Sequence, residues 1–317
     1  MIDAVILVLG LAVAIKGADL LVIGASSIAT RFGISTLVVG LTIVAFGTSL
    51  PEMMVTMLSG LRNNADLAIA NIIGSNIFNV LVVLGVAAII RPLRVHNSTV
   101  VSEIPFSLTA ALLVGFLANA ALFSGHPTLT ISRLDGGILM FFFVLFMLYV
   151  YKSSGEKGEP NGATPPEQGL VRASALIGGG ILGLYFGGGW VVDGAVGIAQ
   201  LLGVNDALIG LTIVAIGTSA PELIASSVAA YRNQVDLAVG NVVGSNIFNM
   251  LWILGLTSSF VELPFEAINN TDLVMVVISS ALIIVALVIS RENTIRRSHG
   301  FVFVALYVAY LAYVIGR

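Results

Sequence analysis

Glu52 and Glu222 each end a stretch that the chain carries twice, GLTIVAFGTSLPE from Gly40 to Glu52 and GLTIVAIGTSAPE from Gly210 to Glu222. Both carboxylates stand in otherwise apolar runs. An ionisable group at membrane depth costs about 3 kcal/mol or more, so its retention points to function. In a helix, Ala45, Thr48, Ser49 and Glu52 fall at i, i+3, i+4 and i+7 and share one face, as do Ala215, Thr218, Ser219 and Glu222. Each face is a column of oxygens that ends in a carboxylate. Pro51 and Pro221 have no N–H, so the carbonyls of Gly47 and Gly217 lose their helical partner and a break is expected beside each acid. Freed carbonyls can coordinate a cation. Irregular backbone at this depth is tolerated only inside protein or along a cavity.

A second pair of stripes supplies neutral oxygens. Asn71, Ser75 and Asn79 fall at i, i+4 and i+8, and Asn241, Ser245 and Asn249 repeat them. Asn76 and Asn246 lie off that line. Small and polar residues also serve as helix glue, and for Gly74, Gly244, Asn76 and Asn246 that role is at least as good a reading. It explains two duplicated acids poorly.

Two carboxylates with amides, hydroxyls and free carbonyls make a hard, flexible, all-oxygen cage. Calcium takes about 6–8 oxygen ligands and fits it better than magnesium, which wants an octahedron and keeps its waters. Zinc and copper are disfavoured, because Cys is absent and His96, His126 and His299 all fall in connections. Two Glu charges balance one divalent ion, and the same oxygens could hold several sodium ions or protons instead. Mutually exclusive ligand sets at one site are a design for exchange. A passive channel filter is the rival reading. An intramembrane enzyme would need a nucleophile and base, or a metal centre, for which the spans provide no His or Cys.

The elements that must position these residues follow from composition. Hydrophobic residues make up 57% of the 317 and charged ones 10%, too few to cover a soluble domain. Ten runs reach the length of about 20 residues that a spanning helix needs: 2–28, 35–61, 66–90, 101–123, 134–151, 171–200, 207–231, 236–260, 271–290 and 299–315. The first has no basic leader and is read as a retained span. Residues 52 and 222, 71 and 241, and 79 and 249 are each 170 apart, so the chain reads as two fused copies, 1–151 and 170–317, whose motifs occupy 40–79 and 210–249. Five spans per copy is odd, so the second copy enters the membrane from the opposite side. That predicts an all-α integral membrane fold of two inverted five-helix repeats, with broken helices at a central site. The seam at 152–169, rich in Gly, Pro, Ser and charge, reads as a linker. With both termini outside, ten basic residues fall on the cytoplasmic side and three on the other, which puts the linker in the cytoplasm of a cell membrane.

The remaining acids read as structural. Lys16 and Asp19 make a self-compensating pair. Asp66 and Asp236 are expected as helix caps, and Glu262, Glu266 and Asp272 as a solvated loop cluster. Asp19 and Asp193 could pair across the bundle. Met53, Met54 and Met57 are expected to pack or to face lipid.

The duplicated G-T-S-x-P-E segment, followed by N-x-x-G-S-N-x-x-N, resembles the alpha repeats of the sodium/calcium exchanger family, within the calcium/cation antiporter superfamily, over the whole ten-span plan. The resemblance implies electrogenic exchange of sodium for calcium, with alternating access by movement of the first and sixth spans over a rigid core. By position it makes Glu52 and Glu222 the calcium carboxylates, with Thr48 and Thr218 beside them. Ala45, Ser49, Ser75, Ala215, Ser219 and Ser245 complete sodium sites, and Asn79 and Asn249 face the centre. Some members carry Asp where this chain has Asn249, and potassium-dependent relatives use that acid, so potassium coupling is disfavoured here. Proton/calcium exchange through the two Glu residues stays open. The implied partners are calcium and sodium as transported ions and the lipid bilayer, with no cofactor and no nucleic acid.

Overall fold

The computed structural model describes residues 2–124, 128–153, 169–203, 215–290 and 292–316. His126, linker residues 154–168, and residues 204–214, which hold the first part of the expected seventh span, lie outside them. The helices are α1 (Ile2–Phe32), α2 (Thr36–Thr48), α3 (Leu50–Leu61), α4 (Ala65–Ile90), α5 (Thr99–Ala118), α6 (Arg133–Ser153), α7 (Leu170–Leu201), α8 (Ala220–Tyr231), α9 (Val235–Phe260), α10 (Asn269–Ile289) and α11 (Arg297–Gly316). Among the described residues, eight helices are long and apolar enough to cross a membrane, and the bent pair α2 and α3 makes a ninth span. Of the expected seventh span, 207–231, the described helical parts are the short turn Ala215–Gly217 and α8.

α1 and α7 pack against each other through glycine. A Cβ added at Gly10 would lie 2.7 Å from the Val191 nitrogen, one at Gly17 2.7 Å from that of Leu184, and one at Gly24 2.9 Å from the Ala173 oxygen. Residue numbers rise along α1 as they fall along α7, so the helices are antiparallel. This is the relation inverted copies require, and small residues let the backbones touch.

α4 and α9 form the centre, walled by side chains such as Ile69, Ile72, Ile77, Leu81 and Leu84. α9 lies backbone to backbone on α2: a Cβ at Gly240 would sit 2.7 Å from the Leu37 oxygen, and one at Gly244 2.7 Å from the Leu41 oxygen and the Ala45 Cβ. Gly244 is thus a packing residue.

Two short strand bridges tie the copies together. β1 (Leu93–Arg94) pairs antiparallel with β4 (Thr294–Ile295), and β2 (Thr130–Ile131) with β3 (Leu263–Pro264). Each bridge joins a connection of one copy to a connection of the other, which sorts the loops onto two faces. The first face also carries the Arg91 to Asn233 hydrogen bond of 2.9 Å and the His96–Asp236 ion pair at 3.4 Å. The second carries reciprocal amide bonds between Asn119 and Asn270, at 2.7 and 2.9 Å.

Three expectations about acids change. Asn64, not Asp66, caps α4, accepting from Leu67 N at 3.1 Å, because Asp66 already lies inside the first turn. Asp236 likewise sits inside α9 and is buried facing His96, which is therefore more than a plain loop residue. Asp272 is no part of a solvated cluster: α10 starts at Asn269, which turns Asp272 inward to accept from the Tyr310 hydroxyl at 2.9 Å. Lys16 does pair with Asp19, at 3.7 Å, and Asp19 also holds Arg232 at the end of α8. Met53 packs against the core while Met54 is half exposed.

Candidate functional site

The span of α2 and α3 bends by 50°. The break falls at Ser49 (φ −83°, ψ 7°), and Ser219 (φ −92°, ψ 9°) breaks the other copy in the same way. Pro51 and Pro221 open the following helices, where a missing N–H costs nothing. α7 lies across both breaks, with Ile181 against Gly47 and Val192 against Gly217. Glu52 and Glu222 consequently stand in the first turns of α3 and α8, where unsatisfied N–H groups favour negative charge. Both residues are 0% exposed.

The two acids are held crosswise. Ser49 Oγ donates to Glu222 Oε1 at 2.9 Å, and Ser219 Oγ donates to Glu52 Oε1 at 2.7 Å. Each copy's serine holds the other copy's glutamate. Ser75 Oγ is 3.5 Å from Glu52 Oε1 and 3.1 Å from Ser219 Oγ, and Thr48 and Ser245 flank Glu222. Ala45 is buried beneath, and Ala215 opens the turn that leads to Ser219.

Asn79 and Asn249 lie at the starts of wide π-turns, Asn79–Leu84 and Phe248–Ile253. A third such turn, Gly40–Val44, precedes the break in α2. π-turns recur at functional sites because they redirect side chains out of the α-helical register. Asn79 Nδ2 donates to Asn246 Oδ1 at 3.1 Å, and Asn246 Nδ2 to the backbone carbonyl of Asn76 at 3.4 Å, so the Asn246 side chain joins α9 to α4. Asn246 serves as the helix glue expected of it, whereas the Asn76 side chain donates to the Ile72 carbonyl of its own helix at 2.7 Å.

Several polar atoms here are buried without a hydrogen-bond partner among the described residues: Oε2 of both Glu52 and Glu222, Oδ1 of Asn79, Oγ of Ser245, and both amide atoms of Asn249. Native interiors leave few such groups, and each calls for an explanation. Among the described residues, no group of three or more His, Asp or Glu gathers in one place, so any cation here would rest on two carboxylates and neutral oxygens. Ion pairs among those residues lie elsewhere, at Lys16–Asp19, Arg232–Asp19 and His96–Asp236. A cavity of about 350 Å³ between α7 and the two breaks is lined by Pro51, Pro221, Gly217, Thr218 and Asp193.

Sequence reasoning placed Asn71 and Asn241 on the polar stripes without their partners and left Thr56 and Ser226 out of the site. Asn71 Nδ2 donates to Thr56 Oγ1 at 2.9 Å and to the Glu52 carbonyl at 3.3 Å, while Asn71 Oδ1 accepts from Thr218 at 3.4 Å. Asn241 Nδ2 donates to Ser226 Oγ at 2.9 Å, and Asn241 Oδ1 accepts from Thr48 at 3.1 Å. The signal was present: Thr56 and Ser226 are hydroxyl residues four positions after each Glu, at the same interval of 170.

Known proteins share this architecture. The model of the sodium/calcium exchanger protein family matches residues 2–152 and 173–316. The putative antiporter CaxA of Alkalimonas amylolytica is 36% identical over 98% of both chains. The sodium/calcium exchanger MaX1 of Methanosarcina acetivorans is 31% identical over 98% of this chain and 97% of its own. A solved structure of the sodium-calcium exchanger NCX_Mj, soaked with sodium and strontium ions, superposes with a TM-score of 0.81 at 34% identity, covering 98% of this chain and 97% of that one. With apolar helices long enough to span a bilayer and relatives matched end to end, the chain is a multi-pass membrane protein that belongs to the sodium/calcium exchanger family.

Proposed function

We propose that this protein is a secondary antiporter that exchanges sodium for calcium by alternating access, with the ions bound near the membrane midplane between Glu52 and Glu222. The reading rests on one observation above all: two fully buried carboxylates, held crosswise by Ser219 and Ser49, each keep an oxygen without a hydrogen-bond partner. Two such negative charges, with no ion pair to a cationic side chain among the described residues, would be costly unless an ion fills the space. Calcium satisfies both carboxylates at once. Sodium would use the same oxygens with those of Thr48, Thr218, Ser49, Ser75, Ser219 and Ser245 and the backbone at Ala45 and Ala215, and Asn79 and Asn249 complete the wall. The names of the matched relatives, a sodium/calcium exchanger and a putative antiporter, support the same activity.

The two copies, 1–151 and 170–317, would then form inverted halves, joined by a cytoplasmic linker at 152–169 in a cell membrane with both termini outside. Impermeant thiol labelling of intact cells tests this sidedness cleanly, since the native chain has no Cys. A cysteine at Glu262 should react and one at Ser153 should not. The reverse pattern would invert the topology.

Transport is tested in proteoliposomes, with sodium, potassium and proton gradients imposed one at a time. Calcium uptake should follow an outward sodium gradient and ignore potassium. Uptake driven by protons alone would identify a proton/calcium antiporter, and uptake without any counter-ion a channel.

A further inference from the structure

Asn71 and Asn241 sit behind the ring of candidate ligands, and their hydrogen bonds run across the boundary between the two copies. Asn241 belongs to the second copy and accepts from Thr48 of the first, while Asn71 belongs to the first and accepts from Thr218 of the second. The other end of each amide is tied within its own copy, Asn241 to Ser226 and Asn71 to Thr56. Thr56 and Ser226 are both fully buried. Asn71 Nδ2 also reaches the backbone oxygen of Glu52. A carbonyl can only accept, so this contact fixes which end of the Asn71 amide is nitrogen and turns its oxygen towards Thr218.

A threonine hydroxyl has one proton and two lone pairs. If that proton points towards an amide oxygen, the lone pairs are free to face a cation. If the amide were reversed, its N–H₂ would donate to the hydroxyl, and the proton would have to turn either into the site, against the ion, or to a more distant acceptor such as the Ala45 carbonyl, 3.4 Å from Thr48 Oγ1.

We infer that Asn71 and Asn241 are positioning residues for ion binding, setting the polarity of the Thr218 and Thr48 hydroxyls from the opposite copy so that each presents a lone pair, not a proton, to the ion. The inference rests on the proposed cation site. It makes each threonine ligand depend on the half of the molecule to which it does not belong.

The test is a set of double-mutant cycles read by equilibrium calcium binding to purified protein. Thr48→Val and Asn241→Ala should each weaken binding about tenfold, the scale of one well-made hydrogen bond. The double variant should be within about twofold of Thr48→Val alone. The same should hold for Thr218→Val with Asn71→Ala. The crossed pairs, Thr48→Val with Asn71→Ala and Thr218→Val with Asn241→Ala, should be additive, an asymmetry that a merely structural role would not produce. Ser226→Ala, which cuts only the outer bond, serves where Asn241→Ala yields too little folded protein. It should give a smaller loss in the same direction, itself abolished in the Thr48→Val background. Additivity in the matched pairs, or no loss from either Asn241→Ala or Ser226→Ala, overturns the inference. Glu52→Gln separates the two levels: if it abolishes binding while the matched pairs are additive, only the positioning role falls, and if it leaves binding intact, the cation site itself falls.

Discussion

The centre of this molecule and the α1–α7 pair beside it are built on opposite principles. At the centre, α3, α4, α8 and α9 meet through carboxylates, hydroxyls and amides, many bonded across the copies and several with no hydrogen-bond partner. Along α1 and α7, glycine and alanine bring backbone against backbone. One region fixes direction, because a hydrogen bond between named atoms has a single good geometry. The other fixes distance, because a side chain at any of its contact glycines would meet the facing backbone. α7 also crosses both helix breaks and walls the cavity that reaches Thr218.

The sharpest way to break this contrast is at the acids. Glu52→Gln and Glu222→Gln should each lower sodium-driven calcium uptake by about 100-fold or more, because one of two charges facing a divalent ion is gone and about 3 kcal/mol corresponds to that factor. The loss should be the same for both within a few-fold, and thermal unfolding in detergent should not move downwards, since a buried charge has been removed. Unequal losses would mean that the two-fold arrangement does not extend to function.

The flanking pair should answer to volume instead. Gly180→Ala places a Cβ 2.6 Å from Leu21 N and should destabilise the protein by about 1–3 kcal/mol. At Gly179 no described heavy atom lies within 4 Å of an added Cβ, so Gly179→Ala should be neutral or stabilising by up to about 1 kcal/mol. Equal midpoints of thermal unfolding for the two variants would show that the close contact does not govern this interface.

The smallest effect is expected where the regions are tied by charge. Arg232 at the end of α8 pairs with Asp19 on α1, and the Arg and Asp side chains are 40% and 23% exposed. Solvent screening limits such a pair to about 1 kcal/mol, so Arg232→Gln should change calcium uptake by no more than a few-fold, and less at high salt. A larger loss would make this contact a determinant of the transport cycle.

Much of the site is legible in the amino-acid sequence, for a physical reason. Helical periodicity fixes which residues of one segment share a face, so the stripes from Ala45 to Glu52 and from Asn71 to Asn79 follow directly, and Pro51 and Pro221 mark the breaks. Periodicity does not say which other helix a face meets. The Ser49 to Glu222 and Ser219 to Glu52 bonds span 173 and 167 residues, and only the interlocking of the copies creates them. The same blindness hides the partners of Asn71 and Asn241, Thr218 and Thr48 of the opposite copy. It also misplaces Asp272, because a helix starting three residues earlier turns an apparent loop acid inward. Capping fails at Asp66 by a similarly small margin: Asn64, two residues upstream, has the non-helical backbone (φ −103°, ψ 73°) that a cap requires.

The central claim is that one set of oxygens serves both ions in turn, and competition binding tests it most directly. Calcium binding to the purified protein is measured by titration calorimetry at a series of sodium concentrations, with potassium holding ionic strength constant. The account predicts that sodium raises the apparent Kd for calcium without changing the binding stoichiometry, with a log–log slope above one because more than one sodium ion replaces each calcium. Calcium binding that is indifferent to sodium, or a stoichiometry that falls while Kd stays fixed, would contradict it.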